Sequence, residues 1–180
     1  NVLLRASQTN SLHEAEQAQL SGGVAVQTEH AGYSGTGFAD YPGNTGSDVF
    51  VRWTVNQLSA GTVHLAFRYA NGSGTNRPLH LVVNGGAPVA LPFPAGTGWT
   101  NYITLTHSNV ALNAGTNTVE LRATAGAAGA NLDALTVVRS NATPLVQSFV
   151  HIVHRPLASP APTHSRPLAL DAAADTLWVA

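Results

Sequence analysis

Apolar and polar residues alternate along most of the chain. In SDVFVRWTV (residues 47–55) Val49, Val51, Trp53 and Val55 are interleaved with Phe50, Arg52 and Thr54. In TVHLAFRYA (62–70) Val63, Leu65, Phe67 and Tyr69 are interleaved with His64, Ala66 and Arg68. RPLHLVVN, NYITLTH, NTVELRAT and NLDALTVV repeat the pattern. Successive side chains of a strand point to opposite faces, so this period predicts half-buried strands. The breaks carry turn chemistry: Ser59-Ala60-Gly61, Asn71-Gly72-Ser73-Gly74, Asn84-Gly85-Gly86 and Asn113-Ala114-Gly115. No segment shows a convincing helical period. About eight or nine short strands at this spacing predict an all-β fold, a β-sandwich of the jelly-roll kind.

The pattern stops near Arg139. Pro144, Pro156, Pro160, Pro162 and Pro167 then fall within 24 residues, a density that predicts an extended linker rather than a central strand. Beyond it, LALDAAADTLWVA reads as strand, turn, strand. The expected organisation is a sandwich over 1–140, a Pro-rich linker over 141–167 and a hairpin over 168–180. A lone hairpin is marginal in water, so the last piece is expected to open a following domain, such as a first propeller blade.

Composition narrows the class. The 180 residues are 44% hydrophobic and only 9% charged, with a formal net charge of −1. Nucleic acid and anionic membrane surfaces call for clustered Lys and Arg, and here eight arginines are scattered and lysine is absent. No apolar run approaches the roughly 20 residues that span a bilayer. The absence of cysteine excludes a disulfide framework and a Cys-ligated metal. Abundant Gly, Thr, Asn and Ser with few charges suits a secreted sandwich domain.

Candidate chemistry gathers at three places. AGYSGTGFADY (31–41) sets aromatics among glycines. A phosphate loop would need a Gly-Lys-Ser/Thr ending before a helix, which a chain without lysine cannot supply. A bent backbone presenting Tyr33, and with it Tyr41, to a flat ligand remains. In LHEAEQ, Glu14 and Glu16 stand two apart, so on a strand both carboxylates face one side. They form a solvated edge pair, an acid/base pair, or a hard-cation site with Asp133 of the last strand as third carboxylate. The eight histidines lack metalloprotease spacing, there is no Gly-x-Ser-x-Gly elbow, and most are expected on strand surfaces.

Trp99, in GTGWTNY, ends a Gly- and Pro-rich stretch before a strand. A pyranose offers a patch of C–H groups on one face and hydroxyls around its rim. It is therefore matched by a flat aromatic below and by amide or guanidinium donors at the side. Tyr33, Trp99, Asn131, Arg68 and Asn71 supply those groups near predicted strand ends.

EAE…LSGG, GYSGTGF, FRYANG, LVVNG, GWTNY, LNAGTNTVEL and GANLDAL occur in this order over about residues 12–139. Together they resemble the carbohydrate-binding modules of families 6 and 35. The resemblance implies a non-catalytic, calcium-stabilised jelly roll, appended to secreted polysaccharide-degrading enzymes or surface proteins. It implies Ca2+ at Glu14, Glu16 and Asp133, and binding aromatics at Tyr33 and Trp99 with Asn131 as the amide. Some family 35 members carry a second, ligand-side calcium, for which Asn71 is the candidate. Arg68 would matter most for a uronic acid. One departure is Tyr102, where family members often have Trp; the Pro-rich tail lies outside the resemblance. Two alternatives stand beside it. A hydrolase or lyase domain would place two carboxylates across a cleft. A structural or adhesion sandwich would bury Tyr33 and Trp99.

Overall fold

The computed structural model describes residues 9–43, 46 and 48–139 in full, together with the backbone of four short strands outside that range. In chain order the strands are β1 (Val2–Ala6), β2 (Ser11–Glu14), β3 (Gln19–Ser21), β4 (Ala25–Gln27), β5 (Phe38–Asp40), β6 (Phe50–Gln57), β7 (Gly61–Ala70), β8 (Leu79–Val83), β9 (Val89–Leu91), β10 (Ile103–Leu112), β11 (Gly115–Ala123), β12 (Asn131–Arg139), β13 (Leu145–Phe149), β14 (Ala169–Asp171) and β15 (Thr176–Trp178). A single 3-10 turn, Ala15–Gln17, follows β2.

The chain divides into two units, Gln8–Ala142 and the pieces Asn1–Ser7 with Thr143–Ala180. The larger unit is a sandwich of two antiparallel sheets. One has six strands in the order β10-β7-β12-β5-β4, with β2 also paired to β12; the other has five, β3-β6-β11-β8-β9. This is the jelly-roll sandwich that the alternation predicts, and each of the six quoted alternating runs overlaps one of its strands. The strands that the quoted runs did not mark are short: β2 has four residues and β3, β4, β5 and β9 have three each, too few for a period of two to show.

Alternation becomes burial directly. In β7 Val63, Leu65, Phe67 and Tyr69 are buried and the residues between them are not. They meet Val51, Trp53 and Val55 of β6 and Val119 and Leu121 of β11 in one core. Phe50 points to the opposite face of β6 and is still only 9% exposed. The guanidiniums of Arg52 and Arg122 lie over its ring, 4.4 and 5.8 Å from the centroid. Both also grip the buried carboxylate of Glu120, at 2.6 and 2.7 Å. Charge thus covers an outward aromatic while being neutralised beneath it.

In the smaller unit β1 pairs antiparallel with β13, Val2 opposite Phe149, and β14 pairs with β15, Ala169 opposite Trp178. The hairpin agrees with the strand-turn-strand pattern. The β1–β13 pair differs from the expected organisation, which put residues 1–7 in the sandwich and 145–149 in a linker. Pro144 and Pro156 flank β13 without interrupting it, so its backbone donors are intact. The rest of the expected linker lies outside the described residues.

Candidate functional site

Strand register gathers the candidates at one end of the six-stranded sheet. Tyr69 of β7 is opposite Ile103 of β10 and Leu132 of β12, and Leu132 also faces Ala39 of β5. The segment entering β10 with Trp99 and Tyr102, the segment leaving β7 with Asn71, the first residue of β12, Asn131, and the Tyr33 loop entering β5 therefore meet.

An aromatic cluster forms there around the fully buried Phe38. His30 stacks on it at 5.8 Å and 19°, Tyr33 lies tilted at 6.1 Å, and Tyr102 meets it edge-on at 6.4 Å. His30 stacks in turn with Trp99, 5.8 Å away and 14° from parallel. Two guanidiniums complete the cluster: Arg77 lies over Trp99 and Arg68 over Tyr102, each 4.8 Å from the ring centroid. Arg77 also donates to Gly129 O at 2.9 Å. Tyr33 and Trp99 are both half-buried. Each is anchored along one side and keeps part of its surface in solvent, unlike the buried rings of a purely structural sandwich.

The carboxylates converge beside this cluster, by a route different from the one expected. Glu14 closes β2, whereas Glu16 sits in the 3-10 turn, so the strand rule does not align them. The Tyr33 loop draws them together instead. Ser34 Oγ donates to Glu14 Oε2 at 2.8 Å and lies 2.9 Å from Asp133 Oδ2, while Ser34 N–H donates to Asp133 Oδ1 at 2.7 Å. Thr36 N–H donates to Glu16 Oε1 at 2.8 Å. Gly35 has φ +63°, and a Cβ there would lie 2.1 Å from Glu16 Oε1 and 3.2 Å from Glu14 Cδ. Only glycine lets the loop close so tightly on these groups.

Asp133 reaches the cluster because β12 carries a bulge. Register jumps between Leu132 and Ala134, leaving Asp133 as the extra residue, and a bulge re-aims a side chain in this way. β12 also pairs with β2, Ala134 opposite Glu14, so the first strand of the sandwich does border the last. Asp133 is fully buried and accepts from Arg68 Nη1. Burial pushes the Glu14 carboxyl up from its ordinary pKa; the Ser34 hydrogen bond opposes this, and the charges of Glu16 and Asp133 add to it. Glu16 Oε2 is buried without a hydrogen-bond partner. Among the described residues no three Asp, Glu or His side chains close around one point tightly enough to hold an ion.

Four expected ligand groups offer less to a ligand than the sequence suggests. Asn71 is fully buried: its amide donates to Thr75 O and Phe93 O, both at 2.8 Å, and its Oδ1 accepts from Ser73 N–H and Oγ. All four of its hydrogen-bonding capacities brace the loop after β7, leaving none for a sugar or a second calcium. Asn131 is 2% exposed at the start of β12, opposite Ala70, where it offers a ligand almost no surface. Arg68 sits at the expected margin, but its charge is taken by Asp133 and its Nη2 donates to Gly32 O at 2.8 Å. Tyr41 is a core residue, 3% exposed, with its hydroxyl donating to Leu121 O at 2.8 Å.

His30, Arg77, Ser34 and Thr36 belong to the site without having been singled out as binding residues. Ser34 and Thr36 lie inside the quoted GYSGTGF motif, and their hydroxyl chemistry is a usable signal. His30 and Arg77 touch Trp99 across the fold and no local spacing marks them.

Comparison with known proteins identifies the family of the sandwich. The model of the carbohydrate-binding module family 35 matches residues 20–137. The chain is 42% identical over 126 residues to an exo-beta-D-glucosaminidase of Amycolatopsis orientalis, covering 69% of this chain and 12% of that protein. It is 35% identical over 129 residues to endo-1,4-beta-xylanase B of Cellvibrio japonicus, covering 71% of this chain and 21% of that protein. The chain thus spans about an eighth to a fifth of these curated relatives, in which the module is one part of a longer enzyme. A family 35 module from Clostridium thermocellum superposes with a TM-score of 0.67 at 32% identity, over 72% of this chain and 98% of that one. A family 35 module from Cellvibrio japonicus gives 0.63 at 34% identity, over 73% and 94%. On the family match and the shared sandwich, this chain belongs to the family 35 carbohydrate-binding modules.

Proposed function

We propose that this module binds saccharide across Tyr33 and Trp99 and so holds a catalytic domain of the same protein against polysaccharide outside the cell, without catalysis of its own. The observation that carries this reading is the pair of half-exposed rings, Tyr33 and Trp99, steadied from behind by Phe38 and His30. Rings fixed in this way meet the C–H face of a pyranose with little ordering cost, and the rim hydroxyls require donors beside them. Arg77 is the donor best held for that role. Among the described residues it forms no ion pair, so the carboxylate of a uronic acid, if one is bound, pairs there rather than at Arg68.

The absence of catalysis rests on the carboxylates. Glu14, Glu16 and Asp133 gather under one loop instead of flanking a cleft, and Asp133 is neutralised by Arg68.

Ca2+ is proposed at Glu14, Glu16 and Asp133. The donor set suits a hard cation: Glu14 and Asp133 meet at Ser34 with Glu16 held beside them by Thr36, one buried oxygen of Glu16 lacks a partner, and burial first, then the charges of Glu16 and Asp133, raise the Glu14 carboxyl. Bound calcium would supply the charge compensation that these groups otherwise draw from Arg68 and Ser34.

The glucosaminidase, the xylanase and a cycloisomaltooligosaccharide glucanotransferase of Niallia circulans, 38% identical over 133 residues, differ in the glycans they are named for. The test is therefore a panel. Depletion from solution onto insoluble chitosan, xylan and cross-linked dextran, in calcium and in chelator, is expected to show saturable binding to at least one, without release of reducing ends. Retention on none of the three in either buffer contradicts the proposal.

A further inference from the structure

The loop carrying Tyr33 is fastened at alternate residues. Gly32 O accepts from Arg68 Nη2 at 2.8 Å. Ser34 donates to Asp133 through its N–H, and its single hydroxyl proton is placed between Glu14 Oε2 at 2.8 Å and Asp133 Oδ2 at 2.9 Å. Thr36 bonds Glu16 through its N–H at 2.8 Å and its hydroxyl at 3.3 Å. Tyr33 stands between the first two fastenings, on the side of the loop that meets Phe38. Its own hydroxyl has no hydrogen bond among the described residues, so the direction of the ring depends on the backbone that carries it and on packing such as the Phe38 contact.

We propose that Ser34 is the positioning residue for Tyr33: by bonding Glu14 and Asp133 together it fixes the backbone that aims the Tyr33 ring. This rests on the reading of Tyr33 as a binding platform and adds the group that sets it. Ser34 suits the task because one short side chain reaches two carboxylates on different strands, β2 and β12, while its backbone N–H bonds one of them again. A hydrogen bond to an ionised acceptor, as at Asp133 beside Arg68, is stronger than a neutral one, which suits Ser34 to hold the backbone beside Tyr33. Thr36 holds Glu16 alone and leaves the neighbourhood of Tyr33 to Ser34.

The test begins without ligand. In the parent, an aromatic NMR cross-peak between the Tyr33 and Phe38 rings reports the platform, and one between Phe38 and Tyr102 reports the rest of the cluster. Ser34→Ala is expected to weaken or remove the first and retain the second; Ser34→Thr, which keeps the hydroxyl, is expected to retain both. An unchanged Tyr33–Phe38 cross-peak in Ser34→Ala overturns the proposal. Should Ser34→Ala not fold, Ser34→Cys, similar in size and a weaker donor, is judged by the same criterion.

The second arm uses xylohexaose, isomaltohexaose and a glucosamine hexamer as probes. For a probe that the parent binds, Ser34→Ala is expected to weaken binding about tenfold, and Ser34→Ala in a Tyr33→Ala background to add nothing further. A full additional loss in the double variant overturns the coupling. If Tyr33→Ala alone binds like the parent while the cross-peak responds to Ser34→Ala, the platform reading fails and the positioning stands.

Discussion

Arg68 donates from Nη1 to Oδ2 of Asp133, a carboxylate with no exposed surface, while its Nη2 holds Gly32 O and its plane covers Tyr102. One guanidinium thus joins the carboxylate cluster to the aromatic end of the sheet. Arg68→Ala leaves Asp133 buried with Ser34 as its remaining hydrogen-bond partner among the described residues. Because Arg68 is itself 37% exposed, water replaces part of what is lost. A destabilisation of about 1–3 kcal/mol is expected in urea denaturation. Arg68→Lys should recover only part of it, since an ammonium cannot reproduce the planar, two-sided contact. Unchanged stability in Arg68→Ala contradicts the joining role.

Calcium is expected to raise the melting temperature, because the proposed site at Glu14, Glu16 and Asp133 exists in the folded arrangement and not in the unfolded chain. At ~100 times the dissociation constant the gain is about 2.7 kcal/mol. Asp133→Ala should remove the response to calcium. Identical melting curves of the parent in calcium and in chelator would sink the metal proposal and leave the saccharide site standing.

Gly72 presses against Trp99: a Cβ at Gly72 would lie 2.6 Å from Trp99 Cδ1 and 2.7 Å from its Cγ and backbone nitrogen. Gly72→Ala must therefore displace the indole or its loop. The expected outcome is weakened saccharide binding with the melting temperature lowered only slightly, since Gly72 lies outside the core. Retained affinity would show that Trp99 need not stand where it does.

Asp40 gives a pH dependence with a defined sign. Its carboxyl is held above the ordinary value of 3.8, by burial first and then by the charge of Glu29, with Arg77 and His30 opposing. The folded state therefore holds this proton more tightly than the unfolded chain. The stabilisation is complete below 3.8 and is lost as pH rises through the raised value. Asp40→Asn, neutral at every pH, should gain on the parent in melting temperature between pH 4 and pH 7. A constant difference across that window contradicts the assignment.

Much of this fold is legible in the sequence because burial in a sandwich follows a period of two. Val63, Leu65, Phe67 and Tyr69 announce β7 and occupy the core as their spacing requires. The nearness of Glu14 and Asp133 was also legible, from the adjacency of the first and last sandwich strands. Its cause was not. A 3-10 turn at Glu16, a bulge at Asp133 and a loop closing over Gly35 bring the three together, and none of these has a periodic signature. Asn71 shows the opposite failure. An asparagine before glycine at a strand end reads equally as a ligand or as a brace, and only its four hydrogen bonds decide for the brace. His30 was not singled out because its partner Trp99 is far along the chain, so stacking leaves no local trace.

The central claim is that saccharide lies across Tyr33 and Trp99, and calorimetric titration of the parent, Tyr33→Ala and Trp99→Ala with xylohexaose, isomaltohexaose and a glucosamine hexamer tests it most directly. Far-ultraviolet circular dichroism of each variant establishes that the sandwich is intact. The account predicts that the parent binds at least one probe and that each substitution removes most of that binding while the fold is retained. Folded variants that both bind such a probe with the parent's affinity would contradict it.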